Sequence, residues 1–208
     1  MGRPKGASGD TKQRIMDAAM ELFAGKGFAH TTTKDIAAAL GIKDASLYNH
    51  FKSKQDIFDA AVESYTSELA ALLHERGAMV HPEDDASRYA ASNSDSVTRT
   101  VLDSLCPLFE DTHAILLRHV LESNRYTDEQ CQHLYQQIFI ERPLAIQESI
   151  FHSLVECGAF VPCDAHLSAL EFYGLPYLLL VQDTPWDKAK PLIERHITDF
   201  NSAHQSER

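Results

Sequence analysis

Apolar residues recur along this chain at the three- and four-residue spacing of amphipathic helices. No stretch of useful length alternates apolar and polar residues as a half-buried strand would. The first helical stretch starts at Asp10, a candidate N-cap, and is ended by Gly25 and Gly27. The pattern therefore predicts an all-α protein.

Two short helices are predicted next. Thr31, Thr32 and Thr33 offer N-cap hydroxyls to the first of them, and Gly41 ends it in the left-handed conformation that glycine adopts readily. The second covers 43–50. Two short helices joined by a tight glycine turn, with a longer helix before them, are typical of the helix-turn-helix motif.

A long fourth helix begins after Ser53, and its apolar positions continue for about 20 residues, or roughly 30 Å. A polar loop is predicted over 79–96. The remaining predicted helices cover 97–109, 112–123, 128–157, 164–182 and 185–204. Pro107, Pro143 and Pro176 fall inside these patterns, where they either kink the helices and hold a cavity open or mark helix boundaries.

Composition agrees with an ordinary globular chain, because 44% of the 208 residues are hydrophobic and 24% are charged. The net charge of −11 is unevenly distributed. Residues 1–54 carry +4, with nine basic and five acidic groups, and the rest of the chain carries −15. This split favours a polyanion-binding head on an acidic body, although solvated helix faces could produce it by chance.

Other classes of protein are disfavoured by what the sequence contains. The apolar runs are too short for a membrane span and the N-terminus does not resemble a signal peptide, so we expect a soluble, cytoplasmic protein. Its cysteines include no CxxC pair and are expected to be reduced thiols. Eleven histidines lack metal-ligand spacing, and no enzyme or dinucleotide motif is present, so we predict no metal, no cofactor and no enzyme activity.

The N-terminal segment resembles a known family. The strings RIMDAAMELFAGKGF, TTTKDIAAALGI and SLYNHFKSKQDIF are similar to the DNA-binding domain of TetR/AcrR bacterial transcriptional regulators. Two positions depart from the commonest pattern of that family, because Lys43 replaces a small N-capping Ser and Asp44 replaces a basic or polar residue. The resemblance therefore implies an operator of unusual sequence.

The resemblance also implies roles for individual residues. In a helix-turn-helix protein the recognition helix enters the major groove, and the side chains around it hold phosphates. The groove-facing residues would be Lys43, Asp44, Ser46, Tyr48 and Asn49. The phosphate-holding residues would be Thr32, Thr33, Tyr48, His50, Lys52 and Lys54. Packing of Tyr48 and His50 onto neighbouring helices is the alternative, and Arg3 belongs either to a minor-groove arm or to a merely basic terminus.

The predicted division of the chain is a basic N-terminal arm over 1–10, a helix-turn-helix domain over 11–54, and an effector-binding and dimerisation domain over 55–208. The last two helices are apolar enough to pair with a second subunit, as the resemblance implies, or to form a core within one chain. The candidate dimer-interface residues are Leu170, Tyr177, Leu178, Val181, Trp186, Leu192, Ile193, Ile197 and Phe200. The candidate effector-pocket residues are Phe109, His113, Leu117, Tyr135, Phe139, Phe151 and Tyr173.

Together these features predict a ligand-responsive transcriptional regulator. We expect a homodimeric repressor that binds a palindromic double-stranded DNA operator and is released by a small-molecule effector. The alternative is a helical receptor for a small molecule or metal that does not bind DNA specifically.

Overall fold

The computed structural model describes residues 7–86, 89 and 94–206, with backbone alone for 7–10 and 94–96. Over these ranges the chain is helical, and its only β-type pairing is an isolated bridge between Phe160 and Gln205. The prediction of an all-α protein is confirmed. Among the described helices, none has the length and apolar character that crossing a membrane requires.

The helix bounds are close to those predicted from apolar spacing. The elements are α1 (Ala7–Lys26), α2 (Thr33–Ala39), α3 (Asp44–Leu47), α4 (Lys54–Glu75), α5 (Ser94–Glu110), α6 (Thr112–Asn124), α7 (Glu129–Gln136), a π-helical segment (Gln137–Glu141), α8 (Arg142–Glu156), α9 (Ala165–Val181) and α10 (Trp186–His204). Two predicted ranges differ. The helix expected over 43–50 is a single α-turn followed by a looser turn, and the one expected over 128–157 is interrupted by the π-helical segment.

The chain divides into two compact units. The first contains the described part of 1–68 together with 116–133, and the second contains the described parts of 69–115 and 134–208. Helices α4, α6 and α7 each contribute to both units. The predicted division at residues 54 and 55 separates the chain by role, and it stays a prediction.

Capping residues set the order of the short helices in the first unit. Thr32 caps α2 in a reciprocal arrangement, because its Oγ1 accepts from the Asp35 N–H while its own N–H donates to Asp35 Oδ2 at 2.8 Å. Gly41 follows α2 with φ +65°, as predicted. Ser53 Oγ accepts from the Asp56 N–H at 3.0 Å and so caps α4. These local bonds fix the turns on both sides of α3.

The core of the second unit is aromatic. Phe151 lies against Phe160, Phe172 and Phe200, with ring centroids 5.3 to 6.0 Å apart. Ile193 and Ile197 are buried in the same cluster. Helices α8, α9 and α10 are therefore held by one shared set of side chains.

At two of the helix prolines in this unit, a side chain from a later helix takes the acceptor that the missing N–H leaves free. Pro143 has no N–H for the Phe139 carbonyl four residues earlier, and the buried Tyr173 hydroxyl donates to that oxygen at 3.0 Å. Pro176 likewise has no N–H for the Phe172 carbonyl four residues earlier, and that oxygen lies 2.9 Å from His196 Nε2. A carbonyl can only accept, so His196 carries a proton on Nε2.

The cysteines are reduced thiols, as predicted, since Cys106, Cys131, Cys157 and Cys163 are all free of disulfides. Burial, followed by the neighbouring Glu110 and Asp128 carboxylates, respectively, raises the pKa of Cys106 to about 11 and that of Cys131 to about 12. Cys157 is exposed. Its thiol is therefore the most accessible to reagents.

We expect Tyr173→Phe to lower the free energy of unfolding by about 1–3 kcal/mol, because it leaves the buried Phe139 carbonyl without the Tyr173 hydroxyl. Urea denaturation followed by circular dichroism measures the change. Tyr126→Phe is the matched control, because Tyr126 is 82% exposed. Loss of its hydroxyl should change the free energy of unfolding by about 0.5 kcal/mol or less. Equal effects of the two substitutions would contradict this account of the Tyr173 bond.

Candidate nucleic-acid interface and internal cavity

The exposed side of α3 and the turn after it carries the side chains that could read DNA bases. Lys43, Ala45, Tyr48 and Asn49 are all exposed, and the last three lie at helical spacing on one face. Leu47 points the other way and is fully buried. Sequence reasoning missed Ala45, whose methyl group suits contact with a thymine methyl, because alanine carries no polar signal.

Two hydroxyls from different helices meet beside this face. Tyr48 is 51% exposed, and its hydroxyl lies 3.3 Å from Thr33 Oγ1 in the first turn of α2. Packing of Tyr48 into the core is therefore excluded. Thr32, predicted to hold phosphate, uses its hydroxyl and N–H in the cap with Asp35, and this bonding lowers the pKa of the Asp35 carboxyl.

Asp44 and Ser46 are half-buried rather than fully presented to solvent. Asp44 lies in the first turn of α3, where a carboxylate is favoured by the helix dipole. Its Oδ1 atom is buried and has no hydrogen-bond partner among the described residues. One carboxylate oxygen of Asp44 is therefore turned inward, which leaves Oδ2 as the atom that could accept from a base.

Lys52 and Lys54 are placed very differently, although the sequence predicts the same role for both. The Lys52 side chain is exposed. The Lys54 ammonium donates to the carbonyls of Phe28 and Thr31, the latter at 2.9 Å, and lies 4.2 Å from the centroid of the Phe28 ring. Burial lowers its pKa. Lys54 thus ties α4 to the turn after α1, whereas Lys52 is available to a phosphate.

The other predicted DNA-binding residues complete this face only in part. His50 is half-buried, at the end of the turn after α3. Of the basic arm predicted over 1–10, residues 1–6, which include Arg3, lie outside the described residues, whereas 7–10 belong to α1 and not to an arm. The described candidate interface therefore consists of α3, the turn that follows it and the first turn of α2.

The second unit contains a half-open cavity with a volume of about 100 Å³. Its lining residues are Leu73, Ala78, Met79, Tyr89, Val101, Ser104, Leu105, Leu108, Pro143, Ile146, Gln147, Ile150, Phe172, Tyr173 and Pro176. Two of the prolines singled out from sequence, Pro143 and Pro176, lie in this wall. A smaller cavity of about 30 Å³ shares Tyr89, Val101, Gln147, Ile150 and Phe172 with it and adds Phe151.

Of the predicted effector-pocket residues, Tyr173 lines the larger cavity and Phe151 the smaller one. The other five line neither of these cavities. Phe109 packs on Trp186 with ring centroids 5.3 Å apart, Tyr135 and Phe139 are buried against each other, His113 is half-buried, and Leu117 is buried in the first unit. Helix face alone could not tell an aromatic residue beside a cavity from one in the core.

The predicted dimer-interface residues fall into two groups. Ile193, Ile197 and Phe200 are at most 8% exposed within one chain, so they are core residues and not partner contacts. Leu170, Leu178 and Leu192 are 44–50% exposed, whereas Tyr177, Val181 and Trp186 are half-buried. Leu167, Leu170, Gly174 and Leu178 form what we call the leucine stripe of α9, an exposed row at helical spacing.

Comparison with known proteins identifies the first unit. Residues 15–61 match the family described as bacterial regulatory proteins, tetR family. YvkB, an uncharacterized HTH-type transcriptional regulator of Bacillus subtilis, is 37% identical over 31% of this chain and 34% of its own length. IcaR of Staphylococcus aureus, a negative transcriptional regulator of the biofilm operon icaADBC, is 48% identical over 25% of this chain and 28% of its own length.

These two alignments therefore span about a third of each relative. A longer match is to YhgD, another uncharacterized HTH-type regulator of Bacillus subtilis, which is 27% identical over 89% of both chains.

Solved structures share the whole fold. A putative TetR-family transcriptional regulator from Mesorhizobium loti covers 98% of this chain and all of its own, with a TM-score of 0.68 and 18% identity. The complex of SmeT with triclosan covers 95% of this chain and 93% of its own, with a TM-score of 0.67 and 18% identity. At these identities the likeness concerns the fold.

The first unit contains two short helices, α2 and α3, joined by a turn at Gly41, and α2 is capped by Thr32. Such a pair with an exposed recognition face, followed by an all-helical unit, defines the helix-turn-helix class of DNA-binding proteins. The family match over 15–61 is more specific than this class, because it concerns one family within it, and the shared fold agrees with it. Residues 15–61 are therefore similar to the tetR family of bacterial regulatory proteins.

We expect Lys52→Ala to change DNA binding and Lys54→Ala to change the stability of the fold. Lys52→Ala should leave stability unchanged and reduce the slope of log affinity for DNA against log salt by about one unit. Lys54→Ala should instead lower the free energy of unfolding by about 1–3 kcal/mol, because two carbonyls lose a charged donor. Fluorescence-anisotropy titrations at several salt concentrations and thermal melts measure both quantities. If Lys54→Ala left stability unchanged and reduced the slope of log DNA affinity against log salt concentration, Lys54 would be a phosphate contact, contrary to this expectation.

Proposed function

We propose that this protein is a transcriptional repressor that binds a palindromic DNA operator as a homodimer and releases it when a small molecule occupies the cavity of the second unit. The observation that carries the proposal is the exposed face of α3, where Lys43, Ala45, Tyr48 and Asn49 stand on a core that buries Leu47. This arrangement favours DNA binding over a receptor that has lost its DNA-binding head.

Base recognition is supported by the chemistry of that face. The Asn49 amide can bind adenine through two hydrogen bonds, and Lys43 can donate to guanine. The hydroxyl pair of Thr33 and Tyr48, at 3.3 Å, can hold a single phosphate from two helices. The +4 charge of residues 1–54 attracts the duplex, while the −15 of the rest limits non-specific binding.

Homodimer formation is supported by the leucine stripe of α9. The buried side of α9 already packs on α8 and α10, so the stripe is additional apolar surface on the same helix. Leu192 of α10 is also exposed, at 50%. A second copy of this surface would cover both, and a two-fold dimer presents two recognition helices to the half-sites of a palindrome.

Repression and ligand release are supported by the cavity and by the relatives. IcaR is a negative transcriptional regulator, and SmeT, with a TM-score of 0.60 and 21% identity to this chain, is the repressor of a multidrug efflux pump. A complex of SmeT with triclosan is known. By analogy, the cavity of about 100 Å³ in this chain is the proposed effector site.

Selection from a random duplex library should return a palindromic sequence, because two equivalent recognition faces read the two half-sites. Tyr48→Ala should weaken binding to that sequence by about tenfold, since it removes a phosphate contact and part of the groove surface. Tyr126→Ala, a change at an exposed tyrosine far from α3 in the sequence, is the control. Failure to enrich any sequence would contradict the proposed function.

Leu178→Glu should convert the protein to a folded monomer, because a carboxylate in the covered stripe would be desolvated without a partner. Analytical ultracentrifugation measures the mass and circular dichroism checks the fold. Thr198→Glu, on an exposed side of α10, should remain dimeric. Ile193→Glu should unfold the chain instead, since Ile193 is 0% exposed. A dimeric Leu178→Glu protein would remove the stripe from the interface.

A further inference from the structure

We propose that the effector is an uncharged compound about the size of one aromatic ring, bearing a single hydrogen-bonding group, and that Gln147 recognises that group. This inference rests on the proposed ligand-controlled function and specifies the chemistry of its effector. It follows from three properties of the cavity in the second unit, which are its charge, its free polar groups and its volume.

The described part of the cavity wall carries no Asp, Glu, His, Lys or Arg side chain. It is built from aliphatic and proline side chains, with Tyr89, Phe172 and Tyr173 as its aromatic members and Ser104 and Gln147 as its other polar ones. Burial raises the pKa of the Tyr173 hydroxyl, so that group stays neutral. An ion placed here would lose its hydration without a counter-charge, and a neutral molecule avoids that cost.

Gln147 is the amide side chain in the described part of the wall, and an amide offers two N–H donors and a carbonyl acceptor. The Ser104 hydroxyl donates to the Thr100 carbonyl at 2.6 Å, and the Tyr173 hydroxyl donates to the Phe139 carbonyl at 3.0 Å. Gln147 is half-buried, and its amide has no protein hydrogen-bond partner in the part of the chain that the structure describes. A hydroxyl or carbonyl on the ligand would satisfy it.

The volume favours a ligand of one ring over a larger one. A dry engineered protein cavity of about 150 Å³ holds benzene, and the two neighbouring spaces here, of about 100 and 30 Å³, are together of that order. The adjoining cavity of about 30 Å³ also has Gln147, Ile150 and Phe172 in its wall, so Gln147 lies where the two meet. A ring in the larger space can therefore direct a short substituent to the amide, and the aromatic rings of Tyr89 and Phe172 provide edge or face contacts.

The test is a titration of the purified full chain, without DNA, against four compounds on one skeleton. These are benzyl alcohol, toluene, benzylamine and benzoate, measured by saturation-transfer NMR at neutral pH. We expect benzyl alcohol to bind about fivefold more tightly than toluene, which lacks the hydrogen-bonding group. Benzylammonium and benzoate should bind at least about 100-fold more weakly than benzyl alcohol, because each must be desolvated.

Two variants assign the recognition to Gln147. Gln147→Leu should abolish the preference for benzyl alcohol over toluene while toluene still binds, and Gln147→Glu should shift the preference to benzylamine by placing a carboxylate in the wall. Gln182→Leu, on an exposed glutamine just after α9, should behave as the parent protein. The second variant keeps the test decisive if the first is unstable.

Several results would overturn the inference. Tightest binding of benzoate or benzylamine to the parent protein would refute the uncharged ligand, and binding of none of the four compounds would refute the single-ring size. An unchanged preference in both Gln147 variants would refute the recognition role. Benzyl alcohol that binds as expected, while operator DNA stays bound, would refute ligand-controlled release and leave the ligand class standing.

Discussion

Proline in a helix frees a carbonyl, and the second unit depends on how two such carbonyls are satisfied. Tyr173 of α9 donates to the oxygen freed by Pro143, and His196 of α10 takes the one freed by Pro176. The first bond joins α9 to the π-helical segment that precedes α8, and the second joins α10 to α9. The same prolines form part of the cavity wall. The two prolines thus line the cavity and also leave the carbonyls through which neighbouring helical segments are hydrogen-bonded.

The first unit is organised by a different constraint, the need to hold very short helices in place. Helix α3 contains four residues and would not be stable alone. It is fixed by the burial of Leu47, by the Gly41 turn before it and by the Ser53 cap after it. Lys54 adds a bond from α4 to the turn after α1. Because these contacts all face inward, the outward side chains of α3 are left exposed, as binding to the proposed operator requires.

Much of this fold can be predicted from sequence because its signals are local. Thr32, Gly41, Ser53 and Asp164 mark helix ends through chemistry that acts over a few residues, and apolar spacing identifies the helices between them. The π-helical segment is not predictable in this way, since it lies just before Pro143 and one of its carbonyls accepts from Tyr173, a residue of another helix.

The site is harder to predict, and the reason is that one residue type can serve two purposes. A lysine near DNA can hold phosphate, as proposed for Lys52, or bind carbonyls, as Lys54 does. An isoleucine on an apolar helix can face a partner or the chain's own core, and periodicity does not distinguish these, so the interface prediction for Ile193 and Ile197 is wrong. A single glutamine such as Gln147 gives no sequence signal at all.

The leucine stripe of α9 has a consequence for how the regulator responds to its own abundance. If a second copy covers the stripe, as proposed, the DNA-binding form arises from two chains, and its concentration falls with the square of the chain concentration when most chains are single. A modest decrease in synthesis would then empty the operator more than proportionally. Four exposed positions on one helix would in this way set the threshold of protein copy number at which the regulated genes are switched on.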